Sequence, residues 1–240
     1  MTGHRLRAVA VNTSSPEDQA DLQRALDPAG IVMGPTHVEI RFSSGLILRY
    51  LRSDTPSRTH LGFGIADLAG AAERLEADLG IRWTCTTPGV VDLRDVDDNR
   101  VYLVGQTDDP GDGFPQRDQR LIAATLFVSD VPSIARWWRA LGLPVGDASN
   151  VVGSVPADAP HGDTADIFIG DTVIQLWPAG RGPATVAHLV IGVPDEAALD
   201  AAALGLDELG GEYRREPGAL NTYSPDGVDV RLSTPAPARG

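Results

Sequence analysis

The chain is poor in cysteine, in aromatic residues and in basic charge, and it has no long apolar run. A single cysteine, Cys85, in 240 residues rules out an intrachain disulfide and fits a reducing compartment, so a cytoplasmic protein is expected. Buried filler is the expected role of that thiol, ahead of a nucleophile. With 20 basic against 33 acidic residues, the net charge of −13 excludes a nucleic-acid surface built to neutralise phosphates. The acidity reads as solubility rather than as the mark of an acidic partner. The opening "MTGHRLRAVAVNTSSPEDQ" is too weakly apolar for a secretory signal, and no segment reaches membrane-spanning length. Phosphate-binding glycine loops, a nucleophile elbow and zinc-type Cys/His spacing are all missing. "DDPGDG" at 108–113 lacks the ordered alternation and terminal Glu of a calcium loop.

What the chain does have is repetition. Its 42% hydrophobic content is enough for real cores, and its length allows two ordinary domains. Four apolar runs each lead into a helix-like segment: "LRAVAVNTSSPEDQADLQRAL", "HLGFGIADLAGAAERLEADLG", "AATLFVSDVPSIARWWRALGL" and "HLVIGVPDEAALDAAALGLDELG". They begin at Leu6, His60, Ala123 and His188, at spacings of 54, 63 and 65 residues. Each opening run alternates as a strand does. Leu61, Phe63 and Ile65 share one face, while His60, Gly62 and Gly64 share the other. Leu189, Ile191 and Val193 stand opposite His188, Val190 and Gly192 in the same way.

Helical spacing follows. Leu68, Ala72, Leu75 and Leu79 line one helix face, as do Val131, Ile134, Ala135 and Trp138. Asp67 and either Ser129 or Asp130 are the expected N-caps, and Gly80 and Gly142 the stops. Trp138 is assigned to the core and Trp137 to a bridge to another domain or subunit. "THVEIRFSSGLILRYL" and "TADIFIGDTVIQLW" read as hairpins, and "VVDLRDVDDNRVYLV" and "LNTYSPDGVDVRLS" as strand pairs with tight acidic turns. The unit is strand–helix–strand–strand–strand, four times over. "TDDPGDGFPQRDQR" separates the halves, so the expected division is a domain over 1–106, a linker over 107–120, a domain over 121–235 and a frayed tail over 236–240.

Four βαβββ units paired into two domains resemble the vicinal oxygen chelate superfamily, which includes glyoxalase I, extradiol ring-cleaving dioxygenases and bleomycin-resistance-type binding proteins. The residues that carry the resemblance are "HLGFGIADL", "LFVSDVPSIARWWRALGL" and the closing "DVDDNRVYLV" and "SPDGVDVRL". It implies an α+β fold in which paired units form two glyoxalase-like domains, each with a cupped mixed sheet. Metal ligands, where members have them, come from the first strand (His or Gln) and the last (Glu). Here the first-strand positions hold Leu6, His60, Ala123 and His188; the last-strand positions hold Arg49, Tyr102, Gln175 and Arg231.

Each implied cup therefore has one histidine and, at the aligned positions, no carboxylate. A guanidinium about 5 Å from a divalent ion would repel it by about 6 to 7 kcal/mol at an effective dielectric near 20. No metal and no other cofactor is expected. Strand parity adds Thr125, Phe127, Val173 and Trp177 to the C-terminal cup. An apolar floor with a few convergent polar groups is the usual make-up of a small-molecule site. The expected ligand-binding residues are Gln175, His188, Arg231, Trp177, Phe127, Arg49, His60 and Tyr102, around a small organic, neutral-to-anionic ligand. His4, His37 and His161 receive no role. Two other readings stand beside this one. The first is a metal-dependent lyase, isomerase or ring-cleaving dioxygenase, with His as a metal-free general base as its variant. The second is a structural or regulatory protein with filled cups. A homodimer is the assembly left open.

Overall fold

The computed structural model describes residues 5–27, 30–42, 44–55, 58–65, 67–81, 83, 85–87, 90–95, 97, 99–105, 119–147, 164–178 and 185–235. Most of the linker expected at 107–120, the 108–113 loop, the tail, His4 and His161 lie outside them.

Among the described residues the expected unit occurs four times. The first holds β1 (Arg5–Thr13), α1 (Pro16–Leu26), β2 (Ile31–Met33), β3 (His37–Arg41) and β4 (Ile47–Arg52). The second holds β5 (Thr59–Ile65), α2 (Leu68–Leu79), β6 (Cys85–Thr87), β7 (Val90–Arg94) and β8 (Arg100–Gly105). The third holds β9 (Arg120–Val128), α3 (Val131–Ala140), β10 (Val145–Asp147), β11 (Ala165–Ile169) and β12 (Thr172–Pro178). The fourth holds β13 (Thr185–Gly192), α4 (Glu196–Leu209), β14 (Tyr213–Glu216), β15 (Ala219–Tyr223) and β16 (Asp229–Ser233). The strands form two mixed sheets, in the orders β2-β3-β4-β1-β5-β8-β7-β6 and β10-β11-β12-β9-β13-β16-β15-β14. The fold is α+β.

Short side chains start each helix. The carboxylates of Asp67 and Asp195 accept from the N–H groups of Gly70 and Ala198, each at 2.9 Å. Of the two candidates before α3, Asp130 is the cap. Gly80 ends α2 at φ 66° and Gly142 follows α3 at φ 85°, a left-handed turn that a Cβ disfavours. No helix among the described residues is long and apolar enough to cross a membrane.

Contacts group the chain into two compact units that interleave in sequence. Unit one comprises Met1–Val9, Arg58–Asp109 and Ala123–Val186; unit two comprises Ala10–Ser57, Pro110–Ile122 and Ala187–Gly240. Unit one thus carries the second and third repeats, and unit two nearly all of the first and fourth.

In unit one, Leu61, Phe63 and Ile65 are buried, as strand parity requires. Phe63 meets the edge of Trp138 with ring centroids 4.9 Å apart. Trp137 is 0% exposed and packs against Trp138 at 5.1 Å, so within this chain it is covered and presents no ring to another subunit. The reason is that α3 is covered both by α2 and by β10, β11 and β12, which buries a wider arc than one stripe. In unit two α1 packs on α4, and Leu199, Ala202 and Leu206 supply the buried stripe of α4. Arg215 of β14 ties the start of that helix down through ion pairs with Glu196 and Asp200.

Candidate functional site

Register decides which side chains share the polar face of each repeat, because paired residues on neighbouring strands point the same way. In unit two the parallel pair β13–β16 sets His188 against Asp229, Val190 against Arg231 and Gly192 against Ser233. The antiparallel partner β15 then adds Tyr223, Asn221 and Ala219 to those three rows. The opposite face holds Leu189, Ile191, Val230, Leu232 and Leu220, all buried.

His188 and Arg231 are therefore brought together, as expected, but with a carboxylate as well. The His188 side chain is 12% exposed, and Asp229 Oδ2 is 3.9 Å from its Nε2. That gap is too long for a hydrogen bond. Among the described residues the buried Nε2 has no hydrogen-bond partner. Burial pushes the imidazole pKa below its ordinary value; Asp229 opposes the shift and Arg231 adds to it. The neutral ring is the favoured form near neutral pH. Arg231 donates to Asn221 Oδ1 at 3.2 Å and lies 3.9 Å from Glu216.

Unit one repeats the plan with different charges. His60 stands against Arg100, Gly62 against Tyr102 and Gly64 against Val104. Arg94 and Asp92 of β7 continue the first two rows. Asp92 accepts from Arg100 at 2.8 and 2.5 Å, and the guanidinium lies 4.7 Å from the centre of the Tyr102 ring. Burial lowers the His60 pKa first, and Arg58, Arg94 and Arg100 lower it further, with Asp92 opposing. The glycines leave room for a neighbouring strand: a Cβ at Gly62 would lie 3.3 Å from that of Ala8, and one at Gly64 3.0 Å from Arg7 Nε.

Gln175, Trp177 and Phe127 also belong to unit one. Gln175 is in register with Thr125 and accepts its hydroxyl at 3.2 Å; Trp177 is in register with Phe127, with ring centroids 6.2 Å apart. Arg49 is on the polar face of β3–β4 in unit two, where it ion-pairs with Glu39. Leu6 and Ala123, at the other two first-strand positions, are buried.

The aligned positions themselves hold no carboxylate, but their cross-strand neighbours do. The aligned last-strand residues Arg49, Tyr102, Gln175 and Arg231 face Glu39, Asp92, Asp166 and Asn221 respectively across the next strand. Three of the four cross-strand partners are acids, and Asp229 adds a fourth carboxylate beside His188. Burial raises the Glu39 pKa, and hydrogen bonds and charge from Arg41 and Arg49 outweigh it, so the net shift is downward. The alternation in "HVEIR" and "VVDLR" carried this signal. Counting parity through both strands of each hairpin would have found it.

A metal of the kind the resemblance implies needs two or three His, Gln or Glu donors on one point. Among the described residues no three His, Cys, Asp or Glu side chains are so placed. The His188 pair has two donors with a guanidinium two residues along β16, and Asp92 beside His60 is engaged by Arg100. Every basic residue of the chain outside histidine is arginine, which stays protonated and cannot ligate. Among the described residues the donor set does not fit a family-type metal.

Solved structures share this fold. The 2,2',3-trihydroxybiphenyl 1,2-dioxygenase of Sphingomonas wittichii RW1 matches with a TM-score of 0.71 at 14% identity, covering 98% of this chain and 91% of that one. A catechol 2,3-dioxygenase matches at 0.70 and 18% identity, covering 100% and 91%. The 2,3-dioxygenase LapB of Pseudomonas sp. KL28 matches at 0.65 and 15%, covering 100% and 96%. By sequence, no family model and no curated protein matches. The chain thus has the fold of these solved dioxygenases, the fold that the resemblance implied.

Proposed function

We propose that the chain binds a small organic molecule, neutral to anionic, on the polar face of β13–β16–β15, without a metal. The observation that carries this is the buried His188 Nε2, which has no hydrogen-bond partner among the described residues and lies on the same face as Arg231. A buried polar atom left unpaired costs about 1–3 kcal/mol, which a ligand hydroxyl donated to Nε2 would recover. Arg231 would hold the electron-rich end of the ligand. The other expected ligand contacts, Gln175, Trp177, Phe127, His60 and Tyr102 in unit one and Arg49 on β4 of unit two, stay proposals for separate faces. The single cysteine is in keeping with a cytoplasmic setting.

The test uses 3-hydroxybenzoate and the His188 ring resonances of the chelator-treated chain. Saturable shifts that persist in chelator and weaken in Arg231→Gln are expected, and calorimetry should show 3-hydroxybenzoate binding lost in His188→Ala. Stoichiometric uptake of Fe²⁺, Mn²⁺ or Zn²⁺ that is lost in the same variant would overturn the metal-free reading.

A ring-cleaving dioxygenase is the second reading. It is favoured by the solved structures of this fold, which carry that name and match nearly the whole chain. The comparisons support it better than the first, whereas the donor chemistry of the face supports the first. Anaerobic loading with ferrous iron, followed by catechol and oxygen, separates the two. Coloured ring-opened product formed faster than by free iron decides for the enzyme.

A further inference from the structure

A second feature of unit two lies at the far end of the same strands. A cleft of about 320 Å³ opens there, lined by Arg120, Ile122, Gly192, Val193, Pro194, Ser233 and Pro235. It is four residues along β13 from His188, or about 13 Å at strand rise. Glycine at 192 makes it possible: a Cβ there would lie 2.9 Å from Ile122 Cδ1 and 3.1 Å from Arg120 Cγ. The aliphatic stem of Arg120 therefore lies across the glycine, and its head is exposed. Among the described residues that guanidinium has no hydrogen bond or ion pair.

The other polar groups of the cleft are already engaged. The Val193 N–H donates to the Ser233 carbonyl at 2.9 Å, and the Ser233 hydroxyl donates to the Thr234 carbonyl at 3.3 Å. Pro194 and Pro235 have no N–H to offer. One cationic head over walls of Ile122, Val193 and two prolines is thus the whole chemistry of the space. A phosphate, which needs several donors, is poorly served. A carboxylate is matched in two-pronged fashion by one guanidinium. The volume is at the lower end of small-molecule sites.

We propose that this cleft binds a small apolar monocarboxylate, its acid group on Arg120 and its body against Ile122, Val193, Pro194 and Pro235. The proposal does not depend on His188.

The probe is cyclohexanecarboxylate, titrated into the full chain at pH 7.5 and followed by methyl resonances. Saturable shifts at the Ile122 and Val193 methyls and at Arg120 Nε are expected. Arg120→Gln should weaken binding at least about tenfold, since the charge-assisted pair is lost. Gly192→Ala, which displaces both lining side chains, should weaken it as well. Cyclohexylmethanol and inorganic phosphate should give no saturable shift. Equal binding of the alcohol, equal binding of phosphate, or an Arg120→Gln variant that binds as well as the parent each overturns the proposal. So does the absence of any saturable methyl shift. Such a failure leaves the His188 ring response to 3-hydroxybenzoate untouched, so the two readings fail separately.

Discussion

Unit one packs α3 on its sheet with large aromatic rings, and unit two packs its helix pair through a bare glycine. In unit one, Phe63, Trp137 and Trp138 form a continuous edge-on cluster, and Arg74 of α2 donates to the Ala140 carbonyl at the end of α3, 3.3 Å away. In unit two a Cβ at Gly205 of α4 would overlap the carbonyl of Ala25 in α1. The position equivalent to Gly205 in α2 is Ala77, which is exposed. The same repeat thus gains cohesion by filling space in one place and by removing a side chain in the other.

The polar faces differ in the same spirit. Beside the repeat histidine stands a guanidinium, Arg100, in unit one and a carboxylate, Asp229, in unit two. What does not differ is the closing turn. Asp97 accepts from the Ser129 N–H at 2.8 Å and from its hydroxyl, just ahead of α3. Asp226 accepts from the Ser14 hydroxyl at 2.7 Å, its N–H at 3.2 Å and Gln19 Nε2 at 3.3 Å, at the start of α1. The acidic turn that ends one repeat therefore pins the helix start of another. Those pins join the second repeat to the third and the fourth to the first, the grouping that defines the two units.

Four experiments would break or sharpen this comparison, beginning with the largest effect. Phe63→Ala should cost about 3–5 kcal/mol and Ile191→Ala, its counterpart in the fourth repeat, about 2–5 kcal/mol. Chemical denaturation measures both, and equal small losses would show that the aromatic cluster contributes nothing special. Gly205→Ala should destabilise by about 1–3 kcal/mol through overpacking, despite the better helix propensity of alanine. Ala77→Gly should cost only about 1 kcal/mol, as an exposed helix position does. A stabilised Gly205→Ala would contradict the close approach of α1 and α4.

Asp226→Ala should cost about 1–2 kcal/mol at pH 7, by loss of the bonds from Ser14 and Gln19. Burial raises this carboxyl's pKa, but hydrogen bonds from Thr13, Ser14 and Gln19 outweigh it and leave the net shift downward from 3.8. The folded pKa lies below the unfolded one, so the stabilisation is present above pH 3.8 and is lost as pH falls through the folded value. Thermal melts of parent and variant should converge in acid.

The smallest effects are in titration. Both histidines have depressed pKa values, by burial foremost, so the stability each contributes is full above about pH 6.5 and lost as pH falls through the folded value. Arg100→Gln should raise the His60 pKa, while Asp229→Asn should lower that of His188 further. Ring proton shifts followed against pH read both directions, and a common direction would break the contrast between the two faces.

Much of the fold was legible because its signals are local. "HLGFGIADL" announces a strand by alternation, a cap by Asp67 and a helix by the spacing of Ala72 and Leu75, and all three are present. The full burial of Trp137 was not legible, because a single helical stripe underestimates a helix that is covered on two sides. The site was half legible. His188 and Arg231 do share a face, whereas Arg49 proved to be engaged by Glu39, a residue on a different strand.

By itself the sequence determined four strand–helix–strand–strand–strand repeats, their caps and the side of each strand that enters the core. Those follow from periods of 2 and 3.6 and from single residues at helix ends, all short-range properties. Only the tertiary structure decided which charges meet: Arg49 with Glu39, Arg100 with Asp92, His188 with Asp229. Pairing of that kind depends on inter-strand register and on contacts between residues far apart in the chain, and a one-dimensional pattern does not encode either of them locally.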